Sequence, residues 1–579
     1  MTFKTILAAL AIGCLPARAA VTPTSNSLVI NEIMSANVDQ FFSPTVNFDG
    51  WVELYNPSDT EVTLTGCFFS DEADNPTKWK APAGIGTIPA RGYKVVWFDN
   101  NNLKNTNAPF KLDIDGGTLY ISAPDGTLIA SQSYPEAIDR TSYARITDGG
   151  DEWSFTAQPT HGTSNNGAIY ADQQLDEPVV SQNDQLFSGS IYVTVTIPEG
   201  CTLRYTLDGT LPTNTNGYRS ATGQFNVTST TCYRFRLFAD DRLPSRAVTR
   251  SFIRRDKNYT GHVVSVVGDP DFLYGNMHGV MVKGSNGKPG RGQDTKCNWN
   301  MDWERPVNFA YMLPGGNGVF NQDVNLEMCG GWSRAWEPHS FKLKGDKELG
   351  GNKHLDYPFF AEKPFLRNRT LQIRNGGNDN WNRFKDPAIE SIILTSGIDL
   401  DAQSYLPVHE FINGKYIGML NMREPNNKHF VYSNYGWDDE EIDLFEMDAD
   451  SAYVQKCGTK ESFTQLYELS KQASSDDVYA EIKERIDIDE YINYMAMELY
   501  LGGTDWPQNN IKGYALHEGG RFRFVSFDLD FAFSTSNSFV EFANKRNYTF
   551  NWLYDKQTNI RAEIQFVTIF IKNSYYIAW

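Results

Sequence analysis

Two short stretches carry the side chains best suited to chemistry. Asp505-Trp506-Pro507-Gln508-Asn509-Asn510 sets an Asn five residues after an Asp, and Phe527-Asp528-Leu529-Asp530 follows on what reads as a strand. Phosphoryl transfer needs a carboxylate that orients an attacking hydroxyl and takes its proton. It also needs oxygen donors for the metal ions that bridge nucleotide phosphates. Asp505 suits the first task. Asn510 and Asp528 suit the second, because hard divalent cations such as Mg²⁺ or Mn²⁺ prefer oxygen ligands. Asn509 is an alternative to Asn510, although the five-residue spacing favours Asn510. On a strand Asp528 and Asp530 share a face, so Asp530 is a second ligand or, the reading preferred here, a support for the loop. The same residues would also serve as a solvated turn and a strand end, since Asp and Asn are common turn formers. Metal-dependent hydrolysis fits less well: it often gathers His ligands, and only His517 lies near Asp505 in sequence.

The elements that must position these residues run from about 257 to 579. His409 to Ile417 reads as a hairpin with Asn413-Gly414 at a type I′ turn. Asp386-Pro387 opens a helix as an acidic N-cap with Pro in the first turn, and Gly397 closes it. Phe463, Leu466 and Tyr467 share a helical face, and Ile488 to Leu501 forms a helix leading into the loop of Asp505. Strands followed by helices predict a two-lobed α+β architecture.

A phosphate-contacting end is legible as well. Gly330-Gly331-Trp332-Ser333-Arg334 precedes a strand, and such a turn lets backbone N–H groups approach phosphates, as it also suits an ordinary tight turn. Lys342 and Lys344 point to one face of that strand; Lys344 is favoured for the phosphates, with Glu390 as its ion-pair partner. Glu424 lies where a hinge would meet adenine, or is a surface salt-bridge partner.

Composition bounds the function. The 579 residues are too many for one ordinary core, so two to four domains are expected. A net charge of -19 argues against a nonspecific nucleic-acid binder. At the N-terminus, Lys4, the apolar run Ile6 to Leu15 and Ala17-Arg18-Ala19 read as a secretory signal peptide over residues 1–19. Lipidation at Cys14 is the less favoured reading. No later stretch is apolar enough for a transmembrane segment, which predicts a secreted, periplasmic or surface-held protein. None of the cysteines forms a C-x-x-C pair, arguing against a thiolate zinc site, and Cys201 with Cys232 is the best disulfide candidate.

Two all-β segments come first. Residues 27–162 alternate in short strands: Val29-Ile30, Trp51 to Tyr55, Gly92 to Trp97 and Thr118 to Ser122. Ile30-Asn31-Glu32-Ile33-Met34 and Asp49-Gly50-Trp51-Val52-Glu53-Leu54-Tyr55-Asn56 resemble the lamin-tail domain family. That resemblance implies an immunoglobulin-like sandwich with a binding or spacer role, in which Glu32 and Glu53 support the fold. Residues 163–184 read as a linker. Residues 185–254 alternate again, and Tyr205-Thr206-Leu207-Asp208-Gly209-Thr210-Leu211-Pro212-Thr213 is similar to the C-terminal β-domain of chitobiases and hexosaminidases. A second sandwich acting as a spacer is expected, with a cell-surface glycan as the partner this resemblance allows.

The third segment resembles the spore coat protein H (CotH) kinase-like family. The ordered phrases are Gly330 to Arg334, Ser340-Phe341-Lys342-Leu343-Lys344, Tyr357-Pro358-Phe359-Phe360, Leu371 to Asp379, Phe411 to Gly418, Arg423-Glu424, Asp505 to Asn510 and Phe527 to Phe531. The resemblance implies an atypical protein kinase fold. It also implies ATP-dependent phosphorylation of Ser or Thr in secreted or surface proteins. Asp505 becomes the catalytic base, Asn510 and Asp528 the metal ligands, and Lys344, Ser333 and Arg334 the nucleotide contacts. The chain departs from the family at His339, where Lys is frequent, and at Ala532, where Gly is frequent. It is also expected to lack C-terminal helices beyond the one read from Ile560 to Phe570. The alternative is a surface adhesion or carbohydrate-binding protein whose kinase-like segment no longer catalyses.

Overall fold

A computed structural model describes residues 20–100, 105–291, 293–350, 352–379, 381–447, 453–470, 476–503, 505–506 and 509–533. The signal-peptide and Cys14 readings and the helix read from 560 to 570 lie outside these residues. Contacts divide the chain into two compact units, 1–175 with 239–244, and 176–238 with 245–579. The described residues before 262 are mostly β. Among the described residues no helix is long and apolar enough to cross a membrane.

In the first unit, alternation produces strands close to where it is read. One sheet runs in the order Trp153–Thr156, Ser142–Arg145, Val29–Met34, Gly50–Tyr55, Tyr93–Phe98; a second joins Trp79–Lys80, Phe68–Ser70, Gly117–Ser122 and Leu128–Tyr134. Ile30, Val52, Leu54, Phe69, Leu119 and Ile121 meet in one core, each contributing about 1.5–3 kcal/mol through burial. Part of the expected linker belongs to this fold. Asn165 is fully buried and donates to the carbonyls of Asn31 (3.0 Å) and Arg145 (2.9 Å).

The second unit opens with a five-stranded sheet in the order Gln185–Phe187, Val248–Arg254, Thr231–Phe238, Thr202–Thr206, Tyr218–Ser220. Cys201 and Cys232 are both free thiols, contrary to expectation. Cys201 precedes Thr202, which pairs with Phe238, whereas Cys232 lies at the other end of that strand. Six residues of strand separate the two by roughly 20 Å, far beyond the span of a disulfide. The segment expected as a spacer is bonded to strands later in the chain. Asp184 accepts from Ser251 N–H (2.7 Å) and Asn321 (2.8 Å), Ser251 meets Ser265 (2.8 Å), and Leu186 and Ile253 share a core with Val263, Met312 and Phe411.

Next comes a closed barrel in the order His262–Gly268, Glu304–Met312, Gly318–Met328, Phe341–Lys344, Thr370–Arg374, Lys415–Arg423, Tyr405–Ile412. It closes by parallel pairing of Tyr405–Ile412 with His262–Gly268. The Asn413-Gly414 turn forms as read, with φ of 47° and 76°.

A five-stranded mixed sheet completes the unit: Asp401–Ala402, Arg523–Ser526, Ile511–Leu516, Ile442–Met447, Tyr453–Cys457. Alternation along Ile442–Met447 gives it two apolar faces. Phe445 and Met447 pack with residues of helices Glu461–Ser470 and Ile488–Leu501, while Ile442 and Leu444 pack with Phe430 and Val431 of helix Lys428–Tyr435. Helix Lys385–Ser396 contributes Ile389 and Ile393 to the first of these cores. Its N-terminus differs from the reading. Asp379 accepts from Phe384 N–H (2.8 Å) and Lys385 N–H (2.7 Å), taking the capping role, and Asp386 is buried.

Candidate active site

Helix Ile488–Leu501 ends at Gly502, whose left-handed φ of 63° lets its N–H reach the Glu498 carbonyl. The chain then turns into the loop of Asp505. Trp506, 2% exposed, anchors that loop: its indole N–H donates to the Tyr494 hydroxyl at 3.0 Å. An apolar anchor of this size fixes the neighbouring carboxylate without occupying it. Asn510, with φ of 60°, donates its side-chain N–H to Asp505 Oδ2 at 2.7 Å and leads into strand Ile511–Leu516.

The second acidic stretch is not the strand it resembles. Strand Arg523–Ser526 ends first; Asp528 is left-handed (φ 59°), and Leu529–Phe531 is a single 3₁₀ turn. Leu529 N–H donates to Asp386 at 2.9 Å, and this long-range bond turns the backbone out of the ladder. Asp528 and Asp530 therefore share no strand face, but both approach Arg374, which pairs closely with Asp528 and lies 3.7 Å from Asp530. Asp530 accepts from Asn378 N–H at 2.8 Å. Burial, followed by the charge of Asp528, pushes its carboxyl up to about 7.

Asp505, Asn510 and Asp528 line one hollow, together with Glu498, Phe527 and Ala532. Beside it lies a buried ionic network. Arg423 pairs with Asp386 (2.8 Å) and Glu390 (3.1 Å), and Arg374 reaches Asp386 at 3.5 Å. Burial alone would raise the Asp386 carboxyl, but Arg423 and Arg374 hold it below the ordinary carboxylate range. Burial pushes Glu390 well up despite Arg423.

Each of the other expected residues has its own set of partners. Lys344 bridges Glu304 (2.6 Å) and Glu327; burial would lower its pKa, but the two carboxylates raise it. Glu390 takes Arg423, not Lys344, as partner, because it faces the end of strand Lys415–Arg423. Ser333 and Arg334 lie in a 3₁₀ turn, where Arg334 Nε donates to the Gly330 carbonyl at 3.0 Å. Asn375 clamps this turn by donating to the carbonyls of Ser333 (3.3 Å), Trp336 (3.2 Å) and Pro338 (2.9 Å). Glu424 is buried, with its carboxylate on Lys363 (2.7 Å), Ser404 N–H (2.6 Å) and Asn434 (2.8 Å), which leaves neither a surface salt bridge nor an open hinge group.

Arg374, Arg423 and Asp386 are site-building residues whose role the sequence reading missed. An isolated arginine near the end of each apolar strand, Leu371 to Arg374 and Leu420 to Arg423, was the available signal. Lys512 was also missed. It is buried beside the hollow's Phe527 (Nζ to ring centre 4.6 Å) and donates to Asn426 at 2.8 Å; burial lowers its pKa.

Among the described residues no group of three or more His, Cys, Asp or Glu side chains forms a ready-made metal centre. The donor chemistry nevertheless fits a divalent cation. Asn510 directs its amide N–H to Asp505, so its carbonyl oxygen is the atom left to ligate. Asp528 has one oxygen on Arg374, and its side chain is 32% exposed. One or two such donors, completed by phosphate and water oxygens, are the usual protein share of a Mg²⁺ site.

Three family models match parts of the chain. The CotH kinase protein family model matches residues 326–576, less than half of the 579 residues. The Lamin Tail Domain model matches 22–136, and the chitobiase/beta-hexosaminidase C-terminal domain model matches 183–249. No curated protein matches the chain. Two structural features extend past the matches: strands Ser142–Arg145 and Trp153–Thr156 complete the first sheet, and His262–Gly268 and Glu304–Met312 complete the barrel. The chain thus combines, in order, a lamin-tail segment, a chitobiase/hexosaminidase C-terminal segment and a kinase-like CotH segment.

Proposed function

We propose that this chain is a secreted or surface-held atypical protein kinase that transfers the γ-phosphate of ATP to Ser or Thr of secreted or surface proteins. The observation that carries this reading is the shared hollow of Asp505, Asn510 and Asp528 within a segment that matches the CotH kinase family. Asp505 orients the acceptor hydroxyl and takes its proton as the new O–P bond forms; the bond between the γ-phosphorus and the bridging oxygen breaks, and ADP leaves. Asn510 and Asp528 would hold Mg²⁺ or Mn²⁺, which neutralises phosphate charge when bound. Trp506 fixes the base against Tyr494, so its position does not depend on a mobile side chain. Ser333, Arg334 and Lys344 are proposed nucleotide contacts, with Lys512 added from its place beside Phe527. The lamin-tail and chitobiase-like segments serve as positioning modules.

The test is transfer of labelled γ-phosphate to a Ser-rich acceptor with Mg²⁺ and then Mn²⁺. Asp505→Ala and Asp528→Ala, each checked for folding, run beside the parent. Transfer by the parent and by neither variant supports the reading; equal transfer by all three rejects it.

A further inference from the structure

The barrel buries an acid that the hollow does not use. Glu410, on strand Tyr405–Ile412, is fully buried, and among the described residues neither of its carboxyl oxygens has a hydrogen-bond partner. Leaving a buried polar group unpaired costs about 1–3 kcal/mol, so this carboxyl is an expensive filler. Its paired residues, Val264 and Gly418, bring no charge to it. The charge that acts on it is Arg383, and the phenol of Tyr274, at the end of helix Pro270–Tyr274, faces it with Glu337 beyond. His409, next on the strand, takes the other face and meets the Tyr416 hydroxyl at 3.1 Å. Burial pushes the Glu410 carboxyl up to about 8, against the pull of Arg383.

Two glycines make room for Arg383. A Cβ on Gly376 would meet its Cγ at 2.9 Å, and a Cβ on Gly418 would meet its Nη1 at 3.4 Å. Nη1 donates to the Met419 carbonyl at 2.8 Å, while Nε is buried without a partner among the described residues. A guanidinium with an unused donor thus stands near a carboxyl with two unused oxygens, and no ion pair joins them. Arg383 is also tied to the hollow. Its backbone N–H donates to the Asp379 carbonyl at 2.6 Å, and Asn378, in the same 3₁₀ turn Gly377–Asp379, donates its N–H to Asp530 at 2.8 Å. A pull on Arg383 therefore loads the bond between Asn378 and Asp530.

We propose that Glu410 and Arg383 form a pH-responsive latch on the turn Gly377–Asp379. With Glu410 protonated, the guanidinium stays on the Met419 carbonyl and Asn378 stays on Asp530. When Glu410 loses its proton to solvent, the carboxylate takes the guanidinium and the turn is drawn from Asp530, the neighbour of Asp528 beside the hollow. The latch does not depend on which reaction the hollow performs.

Hydrogen exchange of the full chain, followed by mass spectrometry on peptides that cover Gly377–Asp379 and corrected for the intrinsic pH dependence of exchange, reads the turn directly. Parental protection is expected to fall about tenfold around pH 8, the effect of one unit of pKa difference between the two latch positions. Glu410→Gln keeps the shape of the protonated acid, and Arg383→Met removes the cation that moves; each is expected to lack that step. A level or rising parental profile overturns the latch. So does a fall that persists in Glu410→Gln, because that step then belongs to another acid, such as Asp530. If Glu410→Gln does not fold, Arg383→Met decides by the same criterion: loss of the step supports the latch and its persistence overturns it.

Discussion

Each compact unit buries a group of carboxylates, and their partners differ. In the lamin-tail unit Glu32 accepts from Ser142 and from Thr160 N–H (3.1 Å) and Oγ1 (2.6 Å), while Glu53 accepts from Asn31 (2.9 Å) and Gly162 N–H (2.6 Å). These donors are neutral. Burial pushes Glu53 up to about 8, so the acid is a hydrogen-bonding strut between strands. Beside the hollow, Asp386, Glu390, Asp528 and Asp530 surround two guanidinium groups, and one member, Asp528, keeps a face toward solvent. Both groups are costly to bury. Neutral donors with no opening support a fold; fixed cations with one opening support charge chemistry.

The largest effect that tests this contrast is at Arg423. Arg423→Met leaves Asp386 and Glu390 buried without their main cation and is expected to cost about 3–5 kcal/mol in denaturant unfolding. A loss under 1 kcal/mol would mean the carboxylates are neutral and need no cation. Next is the pH response of the neutral-donor group. Glu53 binds its proton more tightly folded than unfolded, so its contribution to stability is complete below the ordinary value of 4.5 and is lost as pH rises toward about 8. The protection factors of amides in strand Gly50–Tyr55, corrected for the intrinsic pH dependence of exchange, are expected to fall over that window and to stay level in Glu53→Gln; a parent with pH-independent protection would sink the strut reading. The smallest effect concerns helix Lys385–Ser396, which carries Asp386 and Glu390. Asp379→Ala removes its cap and is expected to cost about 1 kcal/mol, visible as a small shift in the same denaturation curve.

Local pattern made much of the fold legible. The alternation of Trp51 to Tyr55, the Asn413-Gly414 turn and the Gly397 stop each appear within a residue or two of where they are read. Barrel closure was not legible, because it pairs His262–Gly268 with Tyr405–Ile412, far apart in sequence, and register of that kind leaves no local period. The acidic turn was misread for a related reason. Phe527 to Phe531 alternates like a strand, yet the bond from Leu529 to Asp386 bends it. The spacing of Asp505 and Asn510 pointed to two side chains that do meet, whereas Lys344 and Glu390 were paired by type alone and found other partners. Close spacing carries geometry; distant charge matching does not.

On the proposed function Asp505 and Asp528 have different tasks in one hollow, and separating transfer from binding tests this most directly. Phosphate-transfer rates and β,γ-imido-ATP affinity with Mn²⁺ would be measured for the parent, Asp505→Asn and Asp528→Asn. Asp505→Asn is expected to lose about 10²–10⁴-fold in transfer and to keep nucleotide affinity within about twofold, since it removes a proton acceptor and no ligand. Asp528→Asn is expected to lose both. Parental transfer rates in Asp505→Asn, or parental metal-dependent nucleotide affinity in Asp528→Asn, would contradict the assignment.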